Sequence, residues 1–318
     1  MISTRARLVR FVSKQIFKRV KPDSDVVAIR RLFERIQLRK RLASGVTMRK
    51  AAIAGVGCEW LVPDGCDEAP VFYYLHGGAY LMGSPATHRQ MLSYIASAAG
   101  VRALLPEYAL APEQPYPAGL NDCLAVYRGL LETGIACERI VIGGDSAGGG
   151  MGVATLLSLR EAGDDLPAAA VLMSPWLDLT ASGESVVSRA AQEPWFKSGD
   201  MQQVARQYCP EGDLRRPLLS PVYADAGKLP PMLIQVGDHE ILLSDATRLA
   251  DNIAAAGGQA TLQVWPDMWH VFQFFVRLMP ESKLAIKDIA TFIRRQVYTS
   301  GPESVAGQVR NGCGQTTD

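Results

Sequence analysis

A serine attacks a carbonyl only where a neighbouring group takes its proton and where donors wait for the charge that develops on oxygen. Gly144-Asp145-Ser146-Ala147-Gly148 supplies the serine in a G-x-S-x-G pattern. It lies between an apolar run, Arg139 to Ile142, and a helix-compatible run, Met151 to Leu159. Such a strand-to-helix turn is so tight that small residues must flank the serine, and it leaves the hydroxyl exposed. It also puts Ser146 at a helix N-terminus, where free N–H groups and the dipole favour negative charge. With 29 glycines in the chain the bare pattern is weak, and a glycine-rich turn for phosphate would share it. The strand–turn–helix setting is what favours a nucleophile.

The base must be one of four histidines. His76 follows a strand and precedes Gly77-Gly78-Ala79, a loop of backbone donors. His88 begins a helix and reads as an ordinary surface residue. His239 sits inside an acidic turn, Asp238-His239-Glu240. His270 stands beyond the last strand, after both the serine and the acidic turn. In open parallel sheets functional residues gather beyond the C-terminal ends of strands, so His270 is the expected base. Gly77, Gly78 and Ala79, with Ala147 behind the nucleophile, are the expected oxyanion donors. Asp238 and Glu240 both remain as the acid that orients the base.

The elements that would hold these residues alternate along the chain. Residues 46 to 62 read as two short strands around Gly55 to Gly57. Further strands are expected at Val71–Leu75, Val101–Leu105, Arg139–Ile142, Ala169–Met173, Met232–Val236 and Ala260–Val264. Helices are expected at Thr87–Ala99, Gly119–Glu132, Asp245–Ala256 and from about Ser282 to Val297. This rhythm argues for an α/β protein, a mostly parallel sheet with helices on both faces. Residues 174 to 228 break it, with Trp176, Trp195 and Phe196 among prolines and glycines. Near the start, Asp23 or Ser24 would cap a helix carrying Val26, Ile29, Phe33 and Ile36.

Taken together, Leu75-His76-Gly77-Gly78-Ala79-Tyr80, Tyr108-Ala109-Leu110-Ala111-Pro112-Glu113, Gly144-Asp145-Ser146-Ala147-Gly148-Gly149, Ser174-Pro175-Trp176, Leu219-Ser220-Pro221, Gly237-Asp238-His239-Glu240 and His270 resemble the hormone-sensitive-lipase branch of the α/β-hydrolases, including its bacterial esterases. The resemblance covers roughly residues 50 to 297. It implies the α/β-hydrolase fold, with an eight-stranded central sheet and a helical cap. On that basis residues 1–45 are cap helices and 46–297 the catalytic domain, to whose cap 174–228 contributes; 298–318 is expected to be a flexible tail.

The implied activity is hydrolysis of short- to medium-chain carboxylic esters through an acyl-enzyme, without cofactor or metal. Ser146 is the nucleophile and His270 the base. Family members place the acid two or three residues past the strand-ending glycine; His239 occupies the first of these positions, which favours Glu240. Two departures stand out: Ala79 occupies the third glycine of the family's H-G-G-G, and Ala109 replaces a usual arginine. The rival readings are a non-catalytic receptor, as in the plant gibberellin receptors, which lack the histidine, and an amidase or peptidase.

Composition agrees with a globular protein: 48% hydrophobic and 20% charged over 318 residues. No apolar run reaches the roughly 18 residues that span a bilayer, and no signal-peptide core follows Met1. The six cysteines show no metal spacing, which fits separate thiols and a cytoplasmic location. The net charge of +1 hides an asymmetry, because residues 1 to 50 hold 15 Lys/Arg against 3 acids. The expected partner is a small-molecule ester, with no nucleic acid. The basic arm allows weak contact with an anionic membrane surface, and a homodimer is also allowed.

Overall fold

The computed structural model describes residues 2–17, 25–31 and 41–298. The eight strands form one sheet: β1 (Val46–Ile53), β2 (Val56–Pro63), β3 (Val71–Leu75), β4 (Arg102–Pro106), β5 (Ile140–Asp145), β6 (Ala169–Met173), β7 (Met232–Gly237) and β8 (Ala260–Trp265). Their order is β1-β2-β4-β3-β5-β6-β7-β8. β1, β2 and β4 pair antiparallel, and every pairing from β4 through β3 to β8 is parallel. The expected mostly parallel eight-stranded sheet is therefore present. Of the twelve ends of the strands β3 to β8, six match the sequence expectation and six differ by one to three residues, the usual uncertainty at boundaries.

β1 and β2 turn through Ala54-Gly55, both at positive φ, with Ile53 paired to Val56. That is the geometry of a two-residue hairpin turn, which Gly55 adopts without strain.

Successive side chains of a strand point to opposite faces, and this divides the core in two. Tyr73 and Leu75 of β3 and Ile140 and Ile142 of β5 join one cluster. It is covered by α4 (Ala118–Glu132), α5 (Ala147–Ala162) and α8 (Leu243–Ala255). Phe72, Tyr74 and Val141 face the other way, onto α3 (Pro85–Ala99) and α9 (Pro280–Tyr298). α5 is apolar nearly all round and buried along most of its length, as a helix must be when it lies between the sheet and further layers. Tyr298, expected to open the tail, ends α9 instead; the rest of that tail lies outside the described residues.

Two more groups of helices cover the C-terminal ends of the strands. α1 (Thr4–Phe17) and a helical stretch over 26–31, α2, come from the N-terminal arm. Asp25 caps α2 through hydrogen bonds from the N–H groups of Val27 and Ala28. Asp23, Ser24, Phe33 and Ile36 lie outside the described residues. The long insertion after β6 contributes α6 (Ser185–Ser188) and α7 (Met201–Tyr208).

Candidate active site

Ser146 occupies the N-cap of α5 with φ +52° and ψ −125°, a left-handed conformation that L-residues seldom adopt. Two backbone bonds hold it there. Its N–H donates to Met173 O at 3.0 Å, and its carbonyl accepts from Trp176 N at 2.9 Å. The strain is thus met by β6 and the loop after it. A Cβ on Gly144 would collide with the Gly148 carbonyl, and one on Gly148 with the end of β3. The small residues of the pattern are required by space at both positions.

His270 is 1% exposed, and its Nδ1 lies 3.1 Å from Glu240 Oε2. The other carboxylate oxygen, Oε1, accepts from Ser174 Oγ at 2.9 Å and from Gly237 N at 2.5 Å. Ser174 Oγ in turn accepts from Val271 N at 3.0 Å, so one hydroxyl fixes both the acid and the backbone beside the imidazole. Ser174 was quoted only as part of a motif, and its role depends on a contact across 97 residues that spacing does not reveal. Asp238 points elsewhere. Its side chain is 36% exposed and lies 3.9 Å from His239, and the turn is anchored by Asp238 N to Trp265 O and His239 N to Met268 O. Burial alone would lower the pKa of His270; the bond and charge of Glu240, helped by Glu193, reverse this and raise it above the usual imidazole value.

The loop after β3 presents Gly78 and Ala79 at φ +128° and +57°. Ala79 therefore accepts a Cβ in the left-handed region, at a position where the family pattern has glycine. Among the described residues no acceptor takes the N–H of either residue. Ala147 N–H, at the first turn of α5, is likewise free of an intrahelical partner. Gly77 differs from its expected role, because its N–H donates to Asp145 Oδ1 at 2.9 Å and is not available to an oxyanion.

His76 and His88 brace this loop. The His76 ring stacks on Tyr108 at 4.3 Å, and burial lowers its pKa to about 3, so it stays neutral. His88 is corrected: it is 4% exposed, not on the surface, and its Nε2 lies 3.2 Å from Asp145 Oδ1. A helix-start position says nothing about which face meets the sheet, and α3 turns this residue inward. Burial pushes the Asp145 carboxyl up, but His88, Tyr74 OH and Gly77 N–H together hold it below the usual range.

Ser146, Gly78, Ala79 and His270 line one apolar cavity of about 710 Å³, within the range that encloses a small organic ligand. Among the described residues Ser146 Oγ makes no hydrogen bond; it and His270 both line this cavity, and catalytic hydrogen bonds commonly tighten only when substrate binds. The lining also includes Phe17 of α1 and Trp195, Phe196, Met201 and Val204. The rings of Trp195 and Phe196 stand edge-on to His270 at 5.6 and 4.9 Å.

Sequence reasoning also missed Glu193. It is 5% exposed, its Oε1 accepts from Trp195 N at 2.8 Å, and its Oε2 has no hydrogen-bond partner among the described residues. Burial raises its pKa to about 7; His270 opposes the shift and Glu240 adds to it. Because the folded pKa lies above the unfolded value near 4.3, the native state holds this proton more tightly. The associated stability is present at low pH and is lost as pH rises through about 7. Glu193→Gln cannot ionise, so it should melt higher than wild type above pH ~8, with the gain shrinking toward pH ~4. Melting curves that run parallel across that range would show that the carboxyl is not held protonated.

Comparison with known proteins gives a consistent picture. A family model for the alpha/beta hydrolase fold matches residues 72–274. The chain is 43% identical over 236 residues to an acetyl-hydrolase from Streptomyces hygroscopicus, spanning 74% of this chain and 79% of that protein. It is 34% identical over 251 residues to an esterase from Acinetobacter venetianus, covering 78% and 82% of the two chains. Among solved structures, an esterase from the bacterial hormone-sensitive lipase family superposes with a TM-score of 0.89 at 42% identity, covering 93% of this chain and 99% of that one.

Proposed function

The chain belongs to the α/β-hydrolase family, in its hormone-sensitive-lipase-like branch, and is a serine carboxylic-ester hydrolase; from that premise we propose that it works through an acyl-enzyme on Ser146. The observation that carries this is the buried Glu240–His270 pair in the wall of the same cavity as the elbow serine. His270 takes the proton of Ser146 as the hydroxyl attacks the ester carbonyl, forming the tetrahedral intermediate. Gly78, Ala79 and Ala147 N–H groups receive the oxyanion. His270 then passes the proton to the departing alcohol, and water repeats the sequence on the acyl-enzyme to release the acid. Glu240 holds the Nδ1–H tautomer and stabilises the imidazolium.

The substrate is a small ester, as the relatives named esterases and acetyl-hydrolases suggest. The mainly apolar cavity supports acyl chains of short to medium length. We assign α1, α2 and residues 174–228 to a cap, supported by the part that Phe17 and Trp195 take in the cavity wall. No helix among the described residues is long and apolar enough to cross a membrane. The five described cysteines are all free, which supports a reducing, cytoplasmic setting. Among the described residues β8 ends the sheet, and this open edge supports a second copy of the chain as partner. Nothing observed favours a receptor or an amidase.

The test is hydrolysis of p-nitrophenyl acetate, butyrate, octanoate and palmitate as a function of pH. Turnover should be highest on the shorter esters. Because only neutral His270 can act as base, kcat/KM should rise with pH, with a midpoint above the ordinary histidine value near 6.5. No hydrolysis of any ester would sink the proposal, and a flat profile between pH ~5 and ~8 would remove His270 as the base.

A further inference from the structure

α1 carries an unusual face. Leu8, Phe11, Val12 and Ile16 recur at helical spacing and are 64%, 63%, 47% and 51% exposed. The helix is firmly attached by its other side. Ser3 N and Oγ donate to Glu281, Arg10 donates to Gln192 O at 2.7 Å, and Phe17 stacks on Trp195 at 4.7 Å. Ala6 and Ser13 are buried on that side. The apolar stripe is therefore held outward by the packing of the opposite face.

Its charge is one-sided. The segment Thr4–Phe17 contains Arg5, Arg7, Arg10 and Lys14 and no acidic residue. Next to its attachment at Glu281, the turn before α9 and the first turns of α9 add exposed Leu278 and Leu284 together with exposed Arg277, Lys283 and Lys287; the acids in this stretch are Glu281, which is bonded to Ser3, and exposed Asp288. Apolar side chains set among cations are the pattern of a helix that lies in the headgroup region of an anionic bilayer. The same helix forms part of the cavity wall through Ser13, Lys14, Ile16 and Phe17.

We propose that the exposed face of α1, extended by the start of α9, docks the protein on an anionic phospholipid surface and brings the mouth of the cavity to that surface. Its use in catalysis rests on the ester-hydrolase reading, because the cavity would then draw amphipathic esters from the lipid phase. Docking itself needs no turnover and is tested without it.

The full-length protein is sedimented with phosphatidylcholine vesicles and with vesicles holding about 30 mol% phosphatidylglycerol. Wild type should pellet with the anionic vesicles, release as salt is raised, and stay in solution with phosphatidylcholine alone. The double variant Leu8→Asp/Phe11→Asp should bind at least about tenfold more weakly. Neither residue lines the cavity, so its rate on soluble p-nitrophenyl acetate should match wild type. Failure of wild type to pellet, or equal pelleting of the double variant, overturns the proposal. So does a wild-type dimer that the double variant converts to monomer in sedimentation velocity, since the stripe would then be covered by a second copy. If esters are not hydrolysed but vesicles are bound, the catalytic reading fails and the docking surface stands.

Discussion

Ser146→Ala abolishes ester hydrolysis, lowering kcat by roughly 10⁴- to 10⁶-fold, because the nucleophile and its base act as a unit. The fold should tolerate the change. The bonds that fix the elbow, Ser146 N to Met173 O and Trp176 N to Ser146 O, belong to the backbone and persist in alanine. The strained φ of +52° is no worse for alanine, which has the same Cβ. Ser146 Oγ makes no hydrogen bond among the described residues, so none is broken. Loss of activity with an unchanged melting temperature is the expected pair of results. Substantial turnover by the variant would move the nucleophile elsewhere.

Glu240→Gln should cost roughly 10³- to 10⁴-fold in kcat, through the tautomer of His270. Oε1 already accepts from Ser174 and Gly237, so a glutamine must leave its carbonyl oxygen there. Its amide then faces His270 Nδ1, 3.1 Å away in wild type, and donates where the carboxylate accepted. The imidazole proton is driven to Nε2, and the nitrogen that should receive the serine proton no longer can. Asp238→Asn should cost about tenfold or less, because that side chain lies against His239 and not against His270. The reverse order of losses would give the orienting role to Asp238. Melting temperatures separate a catalytic loss from unfolding, which matters for a side chain as buried as Glu240.

The sheet was legible because its strands are short apolar runs spaced by helices, and each run carries its own signal. The elbow was legible for a related reason, since glycines at 144 and 148 report a close approach that only small residues permit. The turn's own residues left Asp238 and Glu240 both open, and it was the family resemblance, which places the acid two or three residues past Gly237, that favoured Glu240. Contacts between distant segments left no such trace. His88 looked like a surface residue because one histidine in a helix does not reveal its face, and its partner Asp145 is 57 positions away. Gly77 was counted with the oxyanion donors because nothing in the loop's sequence shows that Asp145 takes its N–H. Glu193 lies in an irregular stretch without a periodic pattern, and the periodic apolar residues of α1 do not tell which of its faces is covered.

The central claim is that Ser146 carries a covalent intermediate, and a phosphonate ester that traps such serines tests it most directly. Intact-mass analysis should find one adduct per chain, formed in step with loss of activity, and peptide mapping should locate it on Ser146. Ser146→Ala should remain unmodified. An enzyme that hydrolyses esters yet takes up no phosphonate, or takes it up at another residue, would contradict the account.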